Sequence, residues 1–89
     1  MQHEEITITN SVGLHARPAS VFVQTSNKFN SDIQVEYDQK TANAKSILQV
    51  LSLGVKRGGT ISLKIQGTDE DQAFSTLKEL ILDKFGEED

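Results

Sequence analysis

The chain has no cysteine and no tryptophan, and only one proline in 89 residues. Without cysteine there can be no disulfide, thiol nucleophile or thiolate metal site, and the composition fits a reducing, cytoplasmic setting. No window approaches the ~18 consecutive apolar residues of a membrane span, so no membrane insertion is expected. The opening Met1-Gln2-His3-Glu4-Glu5 is unlike the basic, then apolar, start of a secretory signal. Basic runs and aromatic stacking platforms are missing too, which argues against direct nucleic-acid binding. The length suits a single domain, residues 1–89, and a hydrophobic share of 36% is enough for a two-layer core.

Charge is unevenly placed. Residues 67–89 carry Lys78 and Lys84 against eight Asp and Glu, a balance of −6, whereas residues 1–66 carry seven Lys and Arg against five Asp and Glu, a balance of +2. The acidity is therefore C-terminal, ending in an acidic tail expected to fray. The larger N-terminal part is mildly basic, suited to an acidic protein or a phosphoryl group.

Glu5-Ile6-Thr7-Ile8-Thr9 alternates polar and apolar residues, a half-buried strand. From Ala16 the period changes to helical, with Ala19, Phe22, Val23, Ser26 and Phe29 on one face. Ile33, Val35 and Tyr37 alternate as a second strand, and Asp38-Gln39-Lys40 turns into a third over residues 41–44. Ser46 is a favoured N-cap for a short helix that ends near Gly54. Ile47, Val50, Leu51 and Leu53 supply its inward set, and Leu48 is apolar in excess of that. Ile61, Leu63 and Ile65 form a fourth strand. Asp69 with Gln72 approximates a capping box for the longest helix, whose inward stripe is Phe74, Leu77, Leu80, Ile81 and Phe85, with Gly86 as C-cap. The Asp69-Glu70-Asp71 cluster reads as helix-start chemistry, and no metal site is expected. The order βαββαβα, with strands wet on one face, predicts an α+β fold: an open-faced two-layer sandwich of a four-stranded antiparallel sheet with three helices on one face.

The stretch carrying chemistry is Gly13-Leu14-His15-Ala16-Arg17-Pro18-Ala19. It joins a strand to a helix and places the proline in the first turn, where the missing N–H is no loss. His15 stands at the helix entrance, where free N–H groups and the helix dipole favour anions. An imidazole there, with the Arg17 guanidinium and the N–H groups of Ala16 and Arg17, suggests phosphate chemistry on the histidine. The plainer readings are a capping or packed His15, a solvated Arg17, a Ser46 that is only an N-cap, and a surface His3.

With this stretch and Lys45-Ser46-Ile47 in place, residues 5–85 resemble HPr, the histidine-containing phosphocarrier family of the bacterial sugar phosphotransferase system, in its Gram-positive form. Ser52-Leu53-Gly54 and the Gly67 turn add to the likeness. The resemblance implies a carrier without stand-alone turnover and without a cofactor. It would accept a phosphoryl group on His15 Nδ1 from phosphorylated enzyme I and pass it to sugar-specific IIA domains. Arg17 would stabilise the phosphate, and Ser20, Ile47, Leu48 and Leu51 would dock partners. It further implies regulation at Ser46 by an HPr kinase/phosphorylase, a catabolite-control repressor as an additional partner, and a monomeric protein. The alternatives are a regulatory paralogue acting mainly through phosphorylated Ser46, against which the presence of His15 argues, and a generic α+β interaction module. Gram-positive members commonly have methionine where this chain has Leu48 and Leu51, and glycine where it has Gln49; leucine keeps the apolar contact but adapts less readily.

Overall fold

The computed structural model describes residues 1–86; the acidic tail, residues 87–89, lies outside the described residues. The elements are β1 (Gln2–Thr7), α1 (Ala16–Ser26), β2 (Asp32–Tyr37), β3 (Lys40–Asn43), α2 (Ile47–Ser52), β4 (Thr60–Gln66) and α3 (Glu70–Leu82). All pairings are antiparallel, in the order β1-β4-β2-β3. The fold is therefore the expected βαββαβα open-faced sandwich.

Strand alternation fixes which face is covered. Ile6 of β1, Ile33 and Val35 of β2, Ala42 of β3 and Ile61, Leu63 and Ile65 of β4 are buried. From the helical layer they meet Ala19 and Phe22 of α1, Val50 of α2, and Ala73, Leu77 and Ile81 of α3. Each large aliphatic or aromatic side chain so buried contributes about 1.5–3 kcal/mol. The opposite face carries His3, Glu5, Gln34 and Glu36, with Lys64 bonded to Glu36 at 2.6 Å.

Three local expectations are changed by contacts from elsewhere in the chain. β1 begins at Gln2 and stops at Thr7, earlier at both ends than the alternation suggests. Ile8 leaves the strand because its N–H and C=O bond instead to Gly59 O and Gly58 N, both at 2.8 Å. α3 ends at Leu82 and not near Gly86. Lys84 and Phe85 take left-handed backbone angles, φ 56° and 58°. That reversal folds the Phe85 ring back onto Phe22, edge to face, with centroids 6.4 Å apart. The strain of about 1–2 kcal/mol per residue is offset by burial of the ring. The inward stripe of α3 is accordingly Ala73, Leu77 and Ile81, with Phe74 and Leu80 only partly buried.

The third change is at Asp69. It is the N-cap of α3, but its side chain makes no cap bond. The carboxylate accepts instead from Asn30 N at 2.8 Å, from Ser31 N at 2.9 Å and from the Ser31 hydroxyl, binding the α1–β2 loop to the start of α3. Glu70 accepts from Gly67 N and pairs with the Met1 amine at 2.7 Å, while Asp71 accepts from the Gln2 amide. Each of the three acids thus has a partner of its own.

The Ser31 hydroxyl, followed by Asn30 N–H, holds the Asp69 carboxyl below its ordinary value of 3.8. A carboxylate whose folded pKa is depressed contributes stability above the unfolded value and loses it as pH falls through the folded one. Asp69→Asn is therefore expected to weaken the fold at neutral pH and to flatten the loss of stability below pH 3.8. Urea midpoints of both proteins, taken across the acid range, check this; parallel curves would show that Asp69 has no part in the acid transition.

Candidate functional site

His15 is the N-cap of α1, in extended backbone conformation, φ −77° and ψ −177°. Its C=O accepts the first helical bond, from Ala19 N at 2.9 Å, but its side chain makes no capping bond. The imidazole is exposed, as are Ala16 and Arg17. Ala16 and Arg17 are the first two helical residues, so their N–H groups lie ahead of any intrahelical acceptor. Pro18 at the third position has no N–H to satisfy and is buried. Two N–H groups, a guanidinium-bearing side chain and an imidazole are thus presented outward by one turn of helix.

What holds this turn lies on either side of it. Leu14 is buried, 3% exposed, and its N–H donates to Val55 O at 3.0 Å. Pro18 and Ala19 pack inward on the far side. Ahead of Leu14, Asn10 is wholly buried; its side-chain amide donates to Gly13 O at 2.7 Å, and its C=O accepts from Gly13 N at 3.1 Å. Gly13 takes φ +65°, which closes this small loop and lays it against the backbone of Val55 and Lys56. Asn10 and Lys56 are residues of the site region that local sequence patterns do not flag. Asn10 reads as an ordinary loop residue, and Lys56 is 41 positions from His15 in the chain. A signal for Lys56 does exist: no Asp or Glu occurs between Asp38 and Asp69.

Ser46 is the N-cap of α2, and its hydroxyl accepts from Gln49 N at 3.4 Å. The Gln49 side chain in turn accepts from Asn43 N at 2.8 Å, joining α2 to the end of β3. Ile47, Leu48 and Leu51 are all exposed, Leu48 by 75%, so Val50 and Leu53 alone turn inward. Ile47 and Leu51 therefore join Leu48 on the outer surface, because six residues of helix have one sheet-facing line to bury. Ser20, half-buried on α1, accepts from Gln24 at 3.4 Å.

The two serine- and histidine-bearing helix starts are not side by side. α2 packs against α1 in the reverse direction: Asn27, just past the end of α1, donates to Lys45 O, whereas Val55, past the end of α2, meets Leu14. Ser46 consequently lies a helix length from His15, on the order of 15 Å, with Ile47, Leu48 and Leu51 along the way. An open cleft of about 670 Å³ between the C-terminal halves of α1 and α3 is lined by Lys28, Glu79, Leu80 and Leu82 among others, and none of the residues above belongs to it. His15 itself is exposed. Among the described residues no helix is long and apolar enough to cross a membrane.

The family model described as "PTS HPr component phosphorylation site" matches residues 2–83. An HPr crystal structure from Thermoanaerobacter tengcongensis is 52% identical, with 99% of each chain covered and a TM-score of 0.95. The phosphocarrier protein HPr of Bacillus anthracis is 38% identical, covering 90% of this chain and 95% of its own, with a TM-score of 0.86. The catabolite-repression protein Crh of Bacillus subtilis, described as a swapped dimer, is 39% identical, covering 94% of this chain and 97% of its own, with a TM-score of 0.74.

Proposed function

The chain belongs to the PTS HPr family of phosphocarriers, and from that premise we propose that His15 is its phosphoacceptor. The donor is phosphorylated enzyme I, and the recipients are the IIA domains of sugar permeases. In each step a P–N bond to one histidine breaks as a P–N bond to the other forms, so the phosphoryl group moves without loss to water. The nitrogen used on this chain is Nδ1 of His15. Such loose transition states require charge stabilisation and in-line placement more than covalent help. Arg17 and the N–H groups of Ala16 and Arg17 meet the first requirement, and the docked partner supplies the second. The observation that carries the reading is an exposed N-cap histidine that caps nothing. Incubation with phosphoenolpyruvate and enzyme I tests it: the protein should gain the mass of one acid-labile phosphate, and no gain would sink the reading.

Regulation at Ser46 is the second part of the proposal. At about 15 Å a Ser46 phosphate is further from His15 than the Debye length of about 8 Å at physiological salt. Its effect is therefore exerted on partners that dock over Ile47, Leu48 and Leu51, beside both groups. Ser46→Asp is expected to slow acceptance at His15 several-fold by weakening donor binding, with the fold intact. Stopped-flow measurement against donor concentration would show the change in half-saturation; identical curves for both proteins would contradict the coupling. The Crh likeness supports a role in catabolite control, with phosphorylated Ser46 presented to a repressor.

A further inference from the structure

The loop after α2 is bonded along its length to the loop that leads to His15. Leu14 N donates to Val55 O, Gly58 N to Ile8 O and Ile8 N to Gly59 O. A β-carbon built on Gly13 would stand 2.8 Å from the Lys56 Cα. Two residues of chain span at most about 7 Å, so the Cα atoms of Lys56 and His15 are no more than roughly 12 Å apart. Lys56 and its neighbour Arg57 are exposed. Among the described residues the salt bridges engage the Met1 amine, Lys64 and Lys78, and leave Lys56, Arg57 and Arg17 out. No Asp or Glu occurs between Glu5 and Asp32 or between Asp38 and Asp69. Among the described residues, the two bonded stretches, 8–17 and 55–59, therefore bring Arg17, Lys56 and Arg57 to this surface and no carboxylate.

We propose that Lys56 and Arg57 are a second cationic arm of the docking surface, receiving carboxylates on the rim of the protein that donates the phosphoryl group. The inference rests on the carrier reading of His15. Arg17 comes from α1 and the doublet from the α2–β4 loop, so the positive field around the imidazole is built from two elements. A donor with an acidic rim is drawn to that field, and one with a basic rim is repelled. Acceptance then adds nearly two negative charges at His15. The net charge of the three-cation patch falls to about one, loosening its hold on the donor's carboxylates as the transfer completes.

The test compares the wild type with Lys56→Gln/Arg57→Gln, using enzyme I phosphorylated by phosphoenolpyruvate and transfer rates measured against donor concentration at several salt concentrations. Both positions are exposed, so the melting temperature should hold, and Lys28→Gln, at the far end of α1, serves as the charge control. The expected result is a roughly tenfold lower second-order rate constant at low salt, a flatter salt dependence, and an unchanged rate at saturating donor. A doublet variant with the wild-type rate constant and salt slope overturns the inference. So does a slower rate at saturation alone, which would place the doublet in the phosphoryl chemistry. Failure of the wild type to accept any phosphoryl group is a separate outcome, and it overturns the His15 reading together with this one.

Discussion

His15→Ala is expected to abolish phosphoryl acceptance completely while leaving the fold where it was. The two halves of that expectation have separate grounds. The imidazole is exposed and makes no capping bond, so its removal deletes no buried contact and no helix cap; exposed changes of this kind stay within about 0.5 kcal/mol. In a domain of this size that moves the melting temperature by no more than about 4 °C. The acceptor, by contrast, has no substitute at the same place. Arg17 is not a nucleophile at neutral pH, and the N–H groups of the first turn stabilise charge without accepting a phosphoryl group. The chain contains one other histidine, His3, in β1 on the uncovered face of the sheet opposite Lys64. Mass spectrometry after incubation with phosphoenolpyruvate and enzyme I reads the result directly. Wild-type levels of acid-labile phosphate in the variant would remove His15 from its role, and peptide mapping would then show whether His3 carries the group.

Gly13→Ala is expected to cost the fold about 3–5 kcal/mol, which for a chain of this length is a fall of roughly 15–30 °C in melting temperature. Two effects add. A residue with a β-carbon is strained at φ +65°, and that carbon would stand 2.4 Å from Val55 O and 2.8 Å from the Lys56 Cα. Neither neighbour is a side-chain tip that can swing aside. Val55 O is moreover the acceptor for Leu14 N, so relief of the clash pulls apart the contact that seats the residue before His15. Gly54→Ala separates the two effects, because Gly54 shares φ +65° but nothing lies within 4 Å of its added carbon. It should lose only about 1–2 kcal/mol. Thermal melts of the pair decide the matter: equal losses would mean that the close approach at Gly13 is relieved at no cost.

Much of the fold was legible locally because each strand has one wet face and each helix one buried line. The alternation of Ile61, Leu63 and Ile65 names a strand whatever it pairs with, and Ala19, Phe22 and Val23 name a helical face whatever covers it. Legibility failed where a residue exchanged a local partner for a distant one. Asp69 and Gln72 have capping-box spacing, yet Asn30 and Ser31 offer the carboxylate three donors at once. Phe85 continues the stripe of α3 in sequence, but burial against Phe22 draws it out of the helix.

The candidate site divides in the same way. Gly13 to Ala19 by themselves determined a helix start with a proline inside it, an anion-favouring turn and a histidine upon it, since capping and dipole effects act within a few residues. Only the tertiary structure decided that this histidine is exposed and caps nothing, that α2 runs back along α1 so that Ser46 stands a helix length away, and that Lys56 lies against Gly13. Those facts depend on which faces the core has already claimed and on backbone bonds between residues more than forty positions apart. Periodicity along the chain specifies a face, and packing alone specifies what meets it.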